Sequence, residues 1–154
     1  HAKIRKCPDA TCYPGQTAAR GCNVRVGTLT AQELAGKKLA NSPDWKFSIG
    51  ATYEHEVPGM PFDMFAHVDY QWQDDVVFDL FQDPLTGQNA YGVANLNFGI
   101  VERDNERYRV TAFVNNLGDE NYASMLINGG NSTVTKQWTY NAQRYAGLRV
   151  KFTF

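Results

Sequence analysis

The stretch from Arg144 to Phe154, Arg-Tyr-Ala-Gly-Leu-Arg-Val-Lys-Phe-Thr-Phe, constrains this chain more than any other. Successive side chains of an extended strand point to opposite faces. Ala146, Leu148, Val150, Phe152 and Phe154 therefore share one face, and Tyr145, Gly147, Arg149, Lys151 and Thr153 share the other. Strict alternation argues for a strand with one apolar and one polar side. Soluble sheets also alternate. A final strand that closes on Phe, with charges on its other face, points more sharply to a membrane-crossing strand of a β-barrel.

Other stretches repeat the pattern. From Trp45 to Glu56, the residues Trp45, Phe47, Ile49, Ala51 and Tyr53 alternate with Lys46, Ser48, Gly50, Thr52 and Glu54. Trp45 and Tyr53 bracket the apolar face, roughly 27 Å apart along a strand, or ~19 Å in height at a tilt of about 45°. That is close to the separation of the two aromatic girdles of an outer-membrane barrel. From Phe62 to about Asp79, the residues Phe62, Met64, Ala66, Val68, Tyr70 and Trp72 oppose Asp63, His67, Asp69, Gln71 and Gln73. A third strand is expected over Tyr91–Glu102 and a fourth over Tyr108–Leu117. The expected girdle residues are Trp45, Tyr53, Phe62, Tyr70, Trp72, Tyr108, Phe152 and Phe154.

The connections alternate in length. Residues 57–61 and 103–106 are short, whereas 80–90 and 118–143 are long. Short turns on one side and long loops on the other is the arrangement of outer-membrane barrels. It directs the last strand toward the periplasm and places the stretch 7–43 on the outer side. Residues 1–43 read as loop, with one helical turn permitted where Thr30-Ala-Gln-Glu33 resembles a capping box.

The 154 residues suffice for one domain, and a net charge of -1 gives no reason to expect a nucleic-acid partner. Aromatic content is 13%, yet mean hydropathy is -0.45. No run approaches the ~18 apolar residues of a membrane helix. Barrel strands hide their apolar residues at every second position, so a membrane is not excluded. The chain begins at His1 without a leader sequence, which suggests a removed signal or a piece of something longer. Cys12 and Cys22 flank a Pro-Gly turn and suit a disulfide, with Cys7 left over or competing for a partner. The three thiols have poor spacing for zinc, and neither a metal nor a cofactor is expected.

These features together resemble the C-terminal end of the TonB-dependent outer-membrane receptors. The resemblance rests on Asn41-Ser-Pro-Asp-Trp-Lys-Phe47, on Val114-Asn-Asn-Leu-Gly-Asp-Glu-Asn-Tyr122, and on Arg144-Tyr-Ala-Gly-Leu148 leading to Phe154. Cys12-Tyr-Pro-Gly-Gln16 with Cys22, followed by Gly36-Lys-Lys-Leu39, looks like one of their extracellular loops. The resemblance implies an all-β, antiparallel up-and-down barrel of about 22 strands with a plugged lumen, of which about five are here. Residues 1–154 would then be the C-terminal part of the barrel domain, with 1–43 an extracellular loop, 44–154 strands, and the plug domain absent. It implies an outer-membrane location and active uptake of a scarce nutrient such as a ferric siderophore. The implied partners are outer-membrane lipid, the TonB complex through a missing N-terminal region, the barrel-assembly machinery through Phe154, and the nutrient itself.

Individual residues admit sharper readings beside plain ones. Trp138 and Tyr140, in an outer loop, are candidates to stack on a ligand. Asp74, Asp75, Asp79 and Asp83 read as a solvated acidic loop rather than a cation site. His67 reads as a lumen-lining residue. Arg149 and Lys151 face inward, toward acidic groups of a plug or of neighbouring strands. Asn131-Ser-Thr133 matches a glycosylation acceptor by chance. The alternatives are an outer-membrane barrel enzyme and a soluble ligand-binding β-sheet. The enzyme needs a nucleophile beside a base, and Ser48 with His67 is the candidate pair, at an unsuitable mid-strand depth. The soluble sheet leaves the bracketing aromatics unexplained, so no enzyme is expected.

Overall fold

The computed structural model describes residues 3–130 and 133–153. In chain order the strands are β1 (Ala10–Thr11), β2 (Val24–Val26), β3 (Leu29–Gln32), β4 (Lys46–Glu56), β5 (Phe62–Gln73), β6 (Val76–Val77), β7 (Gly87–Gln88), β8 (Tyr91–Glu102), β9 (Tyr108–Asn115), β10 (Ala123–Gly130), β11 (Thr133–Trp138) and β12 (Tyr145–Phe152). The described helices are single 3-10 turns. None is long and apolar enough to cross a membrane, a statement that concerns helices and not strands. The chain divides into two compact units.

One unit holds the sheet β12-β9-β8-β5-β4, antiparallel throughout. Lys46 pairs with Gln73 and Glu56 with Asp63. Phe62 in turn pairs with Glu102, and Gln73 with Tyr91. Because neighbours are in unbroken register, the period-two pattern of each strand adds up to two continuous faces. Ile49, Val68, Leu96, Val114 and Leu148 are on one. Thr52, His67, Asn97, Phe113 and Arg149 are on the other. All eleven residues of β4 are exposed. Apolar side chains such as Ile49 (66%) and Leu148 (68%) stand bare, so this face is not a soluble core. The sheet does not close on itself, and β4 and β12 are its two edges.

The turn 57–61 is tight because Met60 N–H donates to the Val57 carbonyl at 3.2 Å. Gly59 there takes φ +79°, a backbone that side chains resist. The two connections that leave the other end of the sheet are longer, and residues from them make up the second unit together with the stretch that precedes β4: His1–Trp45, Asp74–Ala90 and Tyr122–Thr139. It contains the small sheets β1-β3-β2, β6-β7 and β10-β11. Its core is Tyr13, Ala31, Leu34, Val76, Ala123 and Leu126.

Four expectations need correction. Thr30–Glu33 is not a helical turn: β3 takes Leu29–Gln32, because Val24-Arg-Val26 and Gly27 at φ +60° make a hairpin there. Glu33 accepts instead from the N–H of Ala35 at 2.7 Å. The second long strand stops at Gln73 rather than near Asp79, since the Asp74 side chain accepts from the Asp75 N–H and turns the chain. The fourth ends at Asn115 because Asn116 enters the left-handed region at φ +52°. Finally, 118–143 is not plain loop. Met125-Leu-Ile and Thr133-Val-Thr carry the β-branched and apolar residues of a hairpin, β10–β11.

Candidate functional site

The loop unit is held by a few polar centres. A disulfide joins Cys12 to Cys22, with Cα atoms 5.7 Å apart, and Cys7 is a free thiol. Gln32, 4% exposed, gathers three strands of chain. Its amide donates to the carbonyls of Thr11 (2.7 Å) and Phe81 (2.9 Å) and accepts from Gln16 (3.0 Å). Lys38 bridges Asp44 and Asp75, each at 3.0 Å. The hydrogen bond to Asp75, then that to Asp44, holds the ammonium well above the ordinary lysine range. Buried Asp83 caps the turn Pro84–Thr86 through the Leu85 N–H and accepts from Asn128.

The four aspartates expected to be a solvated cluster therefore divide. Asp74 and Asp75 make local and ion-pair contacts, whereas Asp83 is a buried cap. Among the described residues no group of three or more His, Cys, Asp or Glu is placed to hold a metal ion.

The two ligand candidates fall in different units. Trp138, half exposed, ends β11 with the Lys136 ammonium 4.0 Å over its ring. Tyr140, 85% exposed, stacks obliquely on Tyr145, with centroids 5.4 Å apart.

The girdle candidates Tyr53, Phe62, Tyr70, Trp72, Tyr108 and Phe152 all lie on the apolar face of the sheet. They gather toward its two ends. Phe47 stacks on Trp72 (5.5 Å) and meets Tyr70 (6.2 Å) near the long-connection end. Tyr108 meets Phe152 edge-on at 5.5 Å near the short-turn end. Trp45 directly precedes β4 and belongs to the loop unit. Phe154 lies outside the described residues, as do Asn131 and Ser132 of the glycosylation match.

The opposite face is polar. Thr52 and His67 are a directly opposed pair, hydroxyl to Nδ1 at 2.8 Å. Ser48 faces Gln71 instead. The nucleophile and base considered for an enzyme are thus four register positions apart along the β4–β5 pair, and not directly opposed. Asp69 accepts from Asn95, and Asp63 holds Arg103 at 2.7 Å. Sequence reasoning missed Asn116, which is fully buried. Its side chain donates to the Glu120 carbonyl and accepts from the Glu120 N–H, while its own N–H donates to Asn95. Asp119 then accepts from the Arg144 N–H, so the segment 116–120 ties the ends of β8, β9 and β12. The Asn-Asn-Leu-Gly-Asp string was the available signal.

The family described as TonB dependent receptor-like, beta-barrel, matches residues 15–117. The chain belongs to this family. No curated protein matches the chain, and no solved structure does. As a member of the TonB-dependent receptor-like β-barrels, the protein is a segment of an outer-membrane receptor. The family is one of transport receptors rather than enzymes, and it works with TonB. Its outer-membrane location accounts for a sheet whose apolar face is bare: that face meets lipid.

Proposed function

We propose that this receptor segment supplies barrel wall and outer loops for the active uptake of a scarce nutrient, a ferric siderophore or a similar chelate. The observation that carries the reading is the five-stranded sheet itself, with one apolar face, one polar face and every long connection leaving from one end. On this reading residues 1–43 form an extracellular loop and 44–154 the strands. The open edges β4 and β12 pair with further strands of the same barrel, and a plug fills its lumen. TonB engages a region N-terminal to this segment, and Phe154 marks the last strand for the barrel-assembly machinery. Trp138 and Tyr140 offer exposed aromatic surface to a ligand arriving from outside.

The test is uptake of radiolabelled ferric siderophores by iron-starved source cells, with and without the receptor gene. Deletion should abolish uptake of at least one chelate, and restoring the gene should restore it. Unchanged uptake of every chelate tried would defeat the siderophore reading. In the restored strain, Trp138→Ala and Tyr140→Ala should each weaken binding to whole cells by about tenfold, the effect of losing a contact worth about 1.4 kcal/mol.

A further inference from the structure

On the polar face of the sheet, Arg109, Arg149 and Lys151 share a concavity with Glu54 and His67. A second cationic concavity lies wholly within the loop unit, and it is built differently. Its volume is about 530 Å³, within the range of small-molecule sites. The loop closed by the Cys12–Cys22 disulfide contributes Tyr13, Gln16 and Arg20 to its lining. The segment from the end of β3 onward contributes Gln32, Glu33 and Lys37, and the stretch 74–90 contributes Gln82.

Three glutamines lock this frame. Gln16 Oε1 accepts from the Tyr13 N–H at 3.1 Å, while its Nε2 donates to the Arg20 carbonyl and to Gln32, both at 3.0 Å. Gln32 Nε2 is engaged by the carbonyls of Thr11 and Phe81. Gln82 Nε2 donates to the Lys38 carbonyl at 3.1 Å. A ligand entering a frame that is already ordered does not have to order it, which favours binding.

Other groups of the lining are not satisfied in this way. Tyr13 is 8% exposed, and among the described residues its hydroxyl has no hydrogen-bond partner. Buried polar groups are nearly always paired. Among the described residues neither Arg20 nor Lys37 has a carboxylate within ion-pair distance. Glu33 turns its Oε1 to the N–H groups of Ala35 (2.7 Å) and Cys7 (3.4 Å) instead. The lining thus carries the positive charges of Arg20 and Lys37 against the negative charge of Glu33.

We propose that this concavity binds a monoanionic sugar acid, either free or as a uronate residue of a glycan. One carboxylate paired with Arg20 and Lys37 matches the excess charge of the lining. Hydroxyls of the ligand donate to Glu33 and to the Gln82 side-chain oxygen, and the Tyr13 hydroxyl donates to a ligand oxygen. A neutral sugar leaves both cations unpaired. Inorganic phosphate meets the Glu33 carboxylate as a second anion and does not fill the concavity. Trp138 and Tyr140 are not part of this lining, and the inference holds whichever nutrient the receptor imports.

Equilibrium dialysis of the intact, detergent-purified receptor against radiolabelled D-glucuronate tests it. Binding should saturate, and unlabelled D-glucuronate should displace the label where D-glucose and inorganic phosphate do not. Arg20→Ala and Lys37→Ala should each weaken binding about tenfold, the loss of a charged hydrogen bond. Tyr13→Phe keeps the buried ring and should weaken binding about fivefold, the loss of a neutral one. Arg25→Ala removes an exposed cation of β2 outside the lining and should change nothing, which separates the site from general attraction of anions. Displacement by methyl β-D-glucuronide as well would assign the site to a glycan-linked residue, and displacement by the free acid alone to a free one; both bear the proposal out. Absence of saturable binding would overturn it, as would equal displacement by D-glucose or phosphate. So would equal losses in Arg25→Ala and Arg20→Ala, or binding that Tyr13→Phe leaves intact.

Discussion

At the scale of single residues, two glycines on the polar face separate a hard steric limit from a soft one. A Cβ on Gly99 would run into the Val110 carbonyl oxygen, which is backbone of the paired strand. A Cβ on Gly147 would come within 2.6 Å of the Phe113 ring, which can turn aside. Gly99→Ala should cost about 3 kcal/mol of barrel stability and Gly147→Ala about 1 kcal/mol, the upper and lower ends of overpacking. Thermal unfolding of the receptor in outer membranes checks the order. An equal effect would show that the Phe113 ring is as immovable as backbone. Lys38 gives a second case. Its partly exposed pair of bridges contributes about 1 kcal/mol in all, so Lys38→Met should loosen the loop unit by that much. Its pKa is raised, so the contribution is complete below the ordinary lysine value of about 10.4 and disappears only in stronger alkali. Protease sensitivity of residues 37–44 should therefore be flat from pH 7 to about pH 10 in the wild type as far as Lys38 is concerned.

At the scale of elements, the knot at 116–120 is where a small change should travel farthest. Asn116→Ala removes two side-chain hydrogen bonds from a buried site and leaves a left-handed backbone on a residue that resists it. The expected cost is about 2–4 kcal/mol. Asn116→Gly keeps the backbone and should cost about 1 kcal/mol less, a difference that urea unfolding can read. The five strands of the sheet were legible because a bare lipid face leaves the period-two pattern undisturbed from Phe47 to Phe152. The stopping points were not. Gln73 and Asn115 end their strands through a side-chain turn at Asp74 and a positive φ at Asn116, neither visible in apolar spacing. The hairpin β10–β11 hid because Asn128, Gly129 and Gly130 interrupt the alternation. The strand β3 hid because Thr30-Ala-Gln-Glu33 satisfies a helix-capping pattern that the pairing with Val24–Val26 overrides. As for the candidate site, the shared face of the girdle candidates could be read from spacing, but the grouping of Arg109, Arg149 and Lys151 required the strand register.

At the scale of the whole molecule, the two faces of the sheet should answer differently to the same chemistry. Val68 sits mid-strand on the apolar face, and Val68→Arg should cost about 2–4 kcal/mol, the penalty for a cation at the bilayer midplane. Gln71→Arg, on the polar face, should cost well under half of that. The folded fraction in outer membranes, read by heat-modified gel mobility, distinguishes the two, and equal losses would mean that the apolar face does not meet lipid. A last consequence concerns engineering rather than energy. The second unit is woven from three separated stretches. Gln32 reads carbonyls from two of them, and Asn128 and Asp83 join the other pairing. A designer who transplanted the stretch 118–143 alone into another barrel would carry over half of a handshake. The three stretches form a single graft, and selection acting on any one of their sequences acts on all three.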